Sequence, residues 1–314
     1  MQPFRTILFA ADFSENSQEA FRAACSLAVE GQTRLIVLHV VEPDWVPEDP
    51  VYFGQPIVQY FATSDERRHE ALKRKLGEVF TPSHPIDIQY HTREGDAPAE
   101  VLRMADEIGS DVIVMGTHGS TGLRRLLAGS VATAVLRGAH CPVLALRPHV
   151  RPKKAEGIRV ILHPTDFSDG SEAALRVARL LARDRGARLI LLHVAPSHAF
   201  MKGAMPAELD QGYSHDALES ARERTDGPDL KYPVETWFSR GMAPEEIVRV
   251  AEEVGCDLIV MGTHGRTGLG RLVMGNTAES VLPEANCPVM IVKASPRVSA
   301  PTSDRPTQKM VTVF

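Results

Sequence analysis

Two stretches of the chain carry glycines at one repeated spacing. Residues 115–130 read MGTHGSTGLRRLLAGS, and residues 261–276 read MGTHGRTGLGRLVMGN. In each stretch two glycines lie three residues apart, and a third follows ten residues later, directly before a serine or an asparagine. Glycine lets the backbone approach a bound group closely, and a loop that leads into a helix offers unpaired N–H groups to a phosphate. The spacing therefore indicates an anion-binding loop that occurs twice.

A plain turn-and-cap role for the same glycines is the alternative. The stretches lack the Gly-Lys-Ser/Thr of a P-loop and are not the GxGxxG dinucleotide motif. Ser130 and Asn276 can cap the helix that follows and can also offer a side chain to a phosphate. The loop arginines could meet a γ-phosphate or form a solvated helix face, and the loop histidines could be hydrogen-bonded loop residues or general bases. These residues are Arg124, Arg125, Arg266, Arg271, His118 and His264.

The glycine stretches belong to a longer internal repeat. The segment DFSENS at Asp12 returns as DFSDGS at Asp166, and LIVLHV ending at Val40 returns as LILLHV ending at Val194. Repetition on this scale indicates duplicated folding units. The second copy is shorter, and the missing length falls in a variable, proline- and glycine-bearing loop that follows the second strand.

We therefore predict two similar domains, at residues 1–150 and 158–294. Residues 151–157 read RPKKAEG, a composition typical of a linker. The polar, proline-bearing residues 295–314 are predicted to form a disordered tail.

Continuous apolar runs alternate with helical patterns in both copies. RTILFA, RLIVLHVV, IDIQYHT, DVIVMG and CPVLALR are the predicted strands of the first copy. Strands that are mostly apolar throughout, with helices between them, predict a parallel sheet covered on both faces. Each domain is expected to be a five-stranded, doubly wound α/β unit, whose ligands bind beyond the carboxyl ends of the strands. Residues 17–30 are the first predicted helix, with Ser17, and Ser171 in the second copy, as N-caps.

Composition excludes several classes of protein. The chain has 314 residues, of which 43% are hydrophobic and 24% are charged, and its net charge is -5. This balance is typical of a soluble protein and argues against one that coats nucleic acid. The sequence shows neither a membrane-length apolar run nor a secretory signal. The four cysteines lie in apolar segments without a CxxC pair, which predicts reduced thiols, no zinc site and a cytoplasmic protein.

On these residues the chain resembles the universal stress protein family in its tandem-domain form, whose fold is the Rossmann-like one of the adenine nucleotide alpha hydrolases. Nucleotide-binding members carry Gly-2x-Gly-9x-Gly-Ser/Thr. The first copy matches this motif fully, and the second departs from it only at Asn276. The strand ends Asp-Phe-Ser and Leu-His-Val resemble the family in both copies.

The resemblance implies an ATP site in each copy, with Mg²⁺ held through the phosphates. Asp12 and Asp166 would bond the ribose or the base, Val40 and Val194 would pack on adenine, and Met115 and Met261 would line the base pocket. The implied phosphate-binding residues are Gly116, Gly119, Gly129, Ser130, Val131, Gly262, Gly265, Gly275, Asn276 and Thr277.

The two copies differ at the base side of the implied site. Pro164 and Thr165 match the family pattern in the second copy, whereas Ala10 and Ala11 occupy these positions in the first. We expect both sites to be usable, and the resemblance leaves AMP or another nucleotide open. Four aromatic residues of the first variable loop could form a lid over the ligand or an apolar cover for the loop: Trp45, Tyr52, Phe53 and Tyr60.

Three functions are compatible with these residues. The first is an ATP-binding stress-response protein whose state is read by a partner protein. The second is a ligand-free scaffold that acts through protein–protein contacts. The third is a slow ATPase, although the sequence offers no carboxylate pair or Ser-His-Asp set and we name no catalytic residue. The resemblance also implies that the fifth strands, CPVLALR and CPVMIVK, pair within one chain, and it leaves a homodimer open.

Overall fold

A computed structural model describes residues 4–28, 33–42, 51–52, 55–117, 129–148, 150, 157–196, 216, 219, 234–263 and 275–293. For residues 51–52 and 55–66 it describes the backbone alone. The predicted tail and linker fall outside this part of the chain, apart from Gly157, and so do the aromatic side chains of the first variable loop. Among the described residues, no helix combines the length and the apolar composition that a membrane span requires.

The two halves follow the same order of strands and helices. The first half comprises β1 (Thr6–Ala10), α1 (Glu15–Ala28), β2 (Arg34–Val41), β3 (Val51–Tyr52), β4 (Gln55–Pro56), α2 (Ile57–Val79), β5 (Asp87–Glu94), α3 (Ala97–Glu107), β6 (Val112–Gly116), α4 (Ser130–Gly138) and β7 (Val143–Leu146). The second comprises β8 (Val160–Pro164), α5 (Asp169–Arg185), β9 (Arg188–Ala195), β10 (Val234–Arg240), α6 (Ala243–Glu253), β11 (Leu258–Gly262), α7 (Asn276–Glu284) and β12 (Val289–Val292).

Ten strands form one sheet in the order β10-β9-β8-β11-β12-β7-β6-β1-β2-β5, and β3 pairs with β4 separately. The pairs within each half are parallel, whereas β7 and β12 pair antiparallel, with Leu144 opposite Met290. The fifth strands thus pair within one chain, in the arrangement that the resemblance implied. Because this pair is antiparallel, the carboxyl ends of the parallel strands point to opposite edges of the sheet in the two halves.

Both faces of the sheet are covered, which confirms the predicted doubly wound α/β class. One core cluster joins residues of α1, α2 and α5 to the sheet, and the other joins residues of α3, α4, α6 and α7 to it. Central strand residues such as Ile7, Leu8 and Phe9 are fully buried. Their apolar runs are continuous because side chains on both faces of a parallel sheet pack against helices.

The predicted N-caps Ser17 and Ser171 are wrong by one helical turn. The helices begin earlier, and Ser14 and Ser168 accept the first N–H groups: the Ser17 amide lies 3.1 Å from Ser14 Oγ, and the Ser171 amide lies 3.2 Å from Ser168 Oγ. The sequence segment carries two serines three residues apart in each copy. Both are good capping residues, so the pattern alone does not fix which serine caps the helix.

Candidate functional site

The candidate site of each half lies where the order of strands reverses. β1 pairs with β6 on one side and with β2 on the other, and Ala10 is opposite Met115. The chain leaves β1 towards α1 on one face and leaves β6 towards α4 on the other, so the carboxyl ends of these two strands open a crevice. β8 and β11 form the same junction in the second half. The Asp-Phe-Ser turn and the described ends of the glycine-rich loop therefore lie at this junction in both halves.

A tight turn fixes the aspartate at the end of β1 and β8. Asp12 Oδ1 accepts from the amide of Ser14 at 3.0 Å and from its hydroxyl at 2.6 Å. Asp166 Oδ1 accepts from Ser168 in the same way, at 3.1 and 2.6 Å. These bonds hold each carboxylate at the strand end, where a ribose hydroxyl could reach it.

The residue between the aspartate and the serine adopts a left-handed backbone in both halves. Phe13 has φ 61° and Phe167 has φ 62°. Such values are rare for bulky residues and cost on the order of 1–3 kcal/mol. Sequence reasoning missed this feature, although the repeated Asp-Phe-Ser was its visible signal. Strained residues of this kind are concentrated at binding sites.

A histidine of the second strand braces the turn. The Phe13 ring packs 4.6 Å from the ring of His39, and the Phe167 ring packs 4.7 Å from that of His193. Nδ1 of His39 lies 2.8 Å from the Ala11 carbonyl oxygen, and Nδ1 of His193 lies 2.8 Å from that of Thr165. Because a carbonyl only accepts, each Nδ1 is the donor. Both histidines therefore have structural partners within the turn that they support.

Apolar side chains lie on one side of the crevice. Val40 and Val131 are half-buried and pack on the core cluster beneath α3 and α4, and Val194 does the same in the second half. Met115 and Met261 are buried in that cluster, with only 4% of each residue exposed. Val40 and Val194 thus lie near the carboxyl ends of β2 and β9 and stay partly exposed, whereas the methionine side chains are buried in the core.

The two ends of each glycine-rich loop are joined by a backbone hydrogen bond. The Gly129 amide donates to the Thr117 carbonyl at 2.5 Å, and the Gly275 amide donates to the Thr263 carbonyl at 2.6 Å. These two glycine N–H groups are thus already paired. Residues 118–128 and 264–274, which include Gly119, Gly265 and the loop histidines and arginines, lie outside the described part of the chain.

Among the residues that the structure describes, no side chain caps the start of α4 or α7. Gly129 and Gly275 occupy the N-cap positions, so the expectation that Ser130 and Asn276 cap these helices is wrong. Both are the first residues of their helices and are exposed. The first intrahelical bonds join the Thr133 amide to Gly129 O at 2.9 Å and the Glu279 amide to Gly275 O at 3.0 Å. The three N–H groups before each of these bonds have no intrahelical acceptor and carry the positive end of the dipole.

The first glycine of each motif has a packing role. A Cβ at Gly116 would lie 2.5 Å from Asn16 Nδ2, and a Cβ at Gly262 would lie 2.8 Å from the Gly170 carbonyl group. Both positions allow the first turn of α1 or α5 to approach the end of β6 or β11. The turn-and-cap alternative therefore has support at these two glycines.

The second half has a buried polar network that the first half lacks. Nδ1 of His163 lies 2.9 Å from the Val260 carbonyl oxygen, and its Nε2 lies 3.3 Å from Ser171 Oγ. Ser171 Oγ in turn lies 2.8 Å from Thr165 Oγ1. In the first half Phe9 takes the place of His163, and its ring packs 5.3 Å from that of Phe80. The histidine thus joins β8 to β11, the two strands whose carboxyl ends form the junction in the second half.

Burial lowers the pKa of His163 from its ordinary value of 6.5 to about 4. The folded chain therefore keeps this ring neutral over a range in which the unfolded chain protonates it. Among the described residues, no group of three or more histidine, cysteine or acidic side chains could hold a metal ion by itself.

The sequence profile of the "Universal stress protein family" matches residues 3–147 and again residues 157–293. The chain belongs to the universal stress protein family. A universal stress protein of Mycolicibacterium smegmatis is 28% identical over 296 residues, which cover 91% of this chain and 96% of that one. The match spans both copies and agrees with a tandem universal stress protein.

Single-domain relatives match one copy. A universal stress protein of Methanocaldococcus jannaschii is 30% identical over 151 residues, which are 42% of this chain and 93% of that protein. Among solved structures, a universal stress protein from Archaeoglobus fulgidus has a TM-score of 0.66 at 20% identity and covers 92% of this chain and 98% of its own. That similarity supports the tandem fold.

We predict that Gly262→Ala lowers the free energy of unfolding by about 1–3 kcal/mol, because its new methyl group meets backbone atoms that cannot rotate away. Gly116→Ala should cost less, because its methyl group meets the end of the Asn16 side chain. Urea unfolding followed by circular dichroism measures both values. Gly77→Ala is the control, since its nearest neighbour is the Tyr90 ring at 3.8 Å and alanine is the better helix former. Equal stability of Gly262→Ala and wild type would refute the packing role.

We further predict a pH-dependent effect of His163→Phe, which installs the side chain of the first half. The unfolded histidine takes up a proton near pH 6.5, and the folded one does so only near pH 4. The contribution of His163 to the free energy of unfolding is complete above pH 6.5 and falls by about 3 kcal/mol as the pH drops towards 4. Urea unfolding between pH 7 and 4.5 should show a shallower loss in the variant. The exposed His140→Gln is the control, and equal slopes for wild type and His163→Phe would contradict the prediction.

Proposed function

We propose that this tandem universal stress protein binds ATP in the crevice of each half and that a partner protein reads the occupancy during stress. The observation that carries the proposal is the uncapped start of α4 and α7, held beside the β6 and β11 ends by the Gly129–Thr117 and Gly275–Thr263 hydrogen bonds. A helix start at a switch point favours a phosphate by its electrostatics, because its first amides have no intrahelical acceptor.

The phosphates would contact the first turn of each helix. In the first half the donors are the amides of Ser130, Val131 and Ala132, and the exposed Ser130 hydroxyl can donate as well. Asn276 offers a side-chain amide at the same position in the second half. We propose that the glycines of the two motifs leave room for the phosphates, because they carry no side chain. Gly129 and Gly275 would contribute only this space, because their own N–H groups already donate to Thr117 and Thr263.

The nucleoside would extend from the helix start towards the end of β1 or β8. The half-buried Val40 and Val194 give an apolar surface for adenine, and Asp12 and Asp166 can accept from ribose hydroxyls. Mg²⁺ commonly binds through substrate phosphates with only one or two protein carboxylates. The site therefore fits a magnesium nucleotide without a preformed metal cage. The metal would neutralise phosphate charge, and the chain would bind and orient the nucleotide.

The other functions remain candidates for experiment. A ligand-free scaffold would use the same tandem fold. In that case the packing roles of Gly116 and Gly262 would by themselves explain why glycine occurs at these positions. A slow ATPase would share the same site. Domain boundaries at residues 150 and 158 and a cytoplasmic location belong to the proposal as well, and a homodimer stays open. Mass spectrometry of small molecules released from the denatured protein would identify AMP or another nucleotide in place of ATP.

We predict that saturating ATP and Mg²⁺ raise the melting temperature of the wild type by about 5 °C or more. The double variant Gly129→Asp/Gly275→Asp should lose most of this rise. Both glycines have backbone angles that other residues adopt (φ -57°, ψ 156° and φ -70°, ψ 146°). Aspartate is a good N-cap, so the helices should remain stable, while its carboxylate occupies the amides and repels a polyanion.

The double variant Gly129→Asn/Gly275→Asn is the matched control, because it adds a cap of nearly the same shape without the charge. It should retain more of the ATP-dependent rise than the aspartate variant. A wild type whose melting temperature does not change, and which retains no nucleotide in equilibrium dialysis, would favour the scaffold. Phosphate release over many turnovers by the wild type would favour the ATPase.

A further inference from the structure

A basic residue directly after the fifth strand of each half reaches into the other half. Arg147 follows β7 and donates to the Pro283 carbonyl oxygen in the last turn of α7, and its Nη2 lies 2.8 Å from Asn286 Oδ1. Lys293 follows β12 and donates to the Arg137 carbonyl oxygen in the last turn of α4. Last-turn carbonyls have no intrahelical donor, and a cation is favourable there. The two contacts are equivalent by the pseudo-symmetry of the repeat.

The helices that receive these cations are the ones that start at the candidate sites. α4 begins with Ser130 at the first crevice and α7 begins with Asn276 at the second. Each has nine residues, which makes it about 13 Å long. A helix this short moves as one body, so a contact at its last turn also restrains the amides of its first turn.

The same fifth strands hold the loop of their own half. The Thr117 amide donates to Leu146 O at 2.7 Å, next to Arg147, and the Thr263 amide donates to Val292 O at 3.0 Å, next to Lys293. Thr117 in turn accepts from Gly129 at the first site. Each pair of neighbouring residues, 146–147 or 292–293, therefore bonds to the loop base of one half and to the helix end of the other.

A third contact joins the two helices directly. Arg137 Nη2 in the last turn of α4 lies 3.3 Å from Glu279 Oε1 near the start of α7. The arginine side chain is exposed, so this ion pair contributes little by itself. It does show that the end of one site helix lies close to the beginning of the other.

We propose that Arg147 and Lys293 are positioning residues for the nucleotide site of the opposite half, and that this reciprocal contact couples the two sites. The inference rests on the proposed function. Arg147 reaches a carbonyl and a side-chain oxygen at the end of α7, so the second site depends on it more than the first depends on Lys293. By linkage, ATP at either site changes the affinity of the other by the same factor.

The experiment measures ATP binding to the full-length chain by calorimetry, one site at a time. Gly129→Asp leaves the second site open, and Gly275→Asp leaves the first open. Adding Arg147→Ala should raise the Kd of the second site about two- to fivefold and should raise that of the first site less. Lys293→Ala should raise the Kd of the first site more than that of the second. Arg147→Lys keeps the charge but loses the planar guanidinium that bonds two acceptors, and it should restore part of the affinity.

Two controls separate positioning from general destabilisation. Arg22→Ala removes an exposed arginine of α1 that pairs with Glu19 in the same helix, and it should leave both Kd values within error. The melting temperature without ATP is measured for every variant, and Arg147→Lys serves if Arg147→Ala does not fold. In the chain with both sites intact, the binding curve should differ from the sum of the two single-site curves. The Arg147→Ala/Lys293→Ala variant should instead match the sum of the two single-site curves measured with the same two substitutions present.

The outcomes distinguish this inference from the proposed function. If ATP binds in neither single-site variant nor in the wild type, the proposed function fails and the inference fails with it. If ATP binds at both sites and Arg147→Ala weakens the first site as much as the second, the inference fails and the proposed function stands. Additive binding in the wild type would likewise overturn the coupling.

Discussion

The antiparallel pair of β7 and β12 is the contact on which the arrangement of the molecule depends. Without it, each five-stranded half would expose an apolar edge strand, which is a site for uncontrolled association. With it, Leu144 and Met290 lie opposite each other with at most 2% of either exposed. The antiparallel sense sends the crevices to opposite edges of the sheet. It also brings the residue after each fifth strand to the end of a helix in the other half, because the end of one strand lies beside the beginning of its partner.

Within each half, the end of the first strand is the place where the fold accepts local strain. Phe13 and Phe167 take a left-handed backbone that bulky residues avoid, and each is held by the histidine of the next strand. The strain places an aspartate at the crevice with one oxygen fixed by a serine. The core beneath the two turns differs, since Phe9 lies under one and His163 under the other. The same turn is therefore kept on two different supports.

The sequence predicted the strands, the repeat and the family, because these depend on local patterns of apolar residues and on exact repetition. Its prediction of Ser17 as the cap was wrong, because Ser14 lies in the same turn and has the same capping chemistry. The family resemblance implied a phosphate role for Gly116, which stays a prediction. The close approach of Asn16 to this glycine becomes visible only when α1 is packed on β6. No role was predicted for Arg147 and Lys293, because their partners lie more than a hundred residues away in the chain. These partners become neighbours only through the antiparallel pair.

The fused chain allows a difference between halves that a dimer of identical chains cannot have. In a symmetric dimer one substitution would change both helix ends together. Here the first half supplies an arginine and the second a lysine, and the crevices differ at Ala11 and Thr165 and at Ser130 and Asn276. The arginine can hold two acceptors in a fixed geometry, whereas the lysine is a single flexible charge that loses solvation when it is half-buried; burial lowers the pKa of Lys293 accordingly. Under the proposed function, two sites with unequal support would fill at different nucleotide concentrations. The singly filled form would then have one defined site occupied, whereas in a symmetric pair either site is filled equally often.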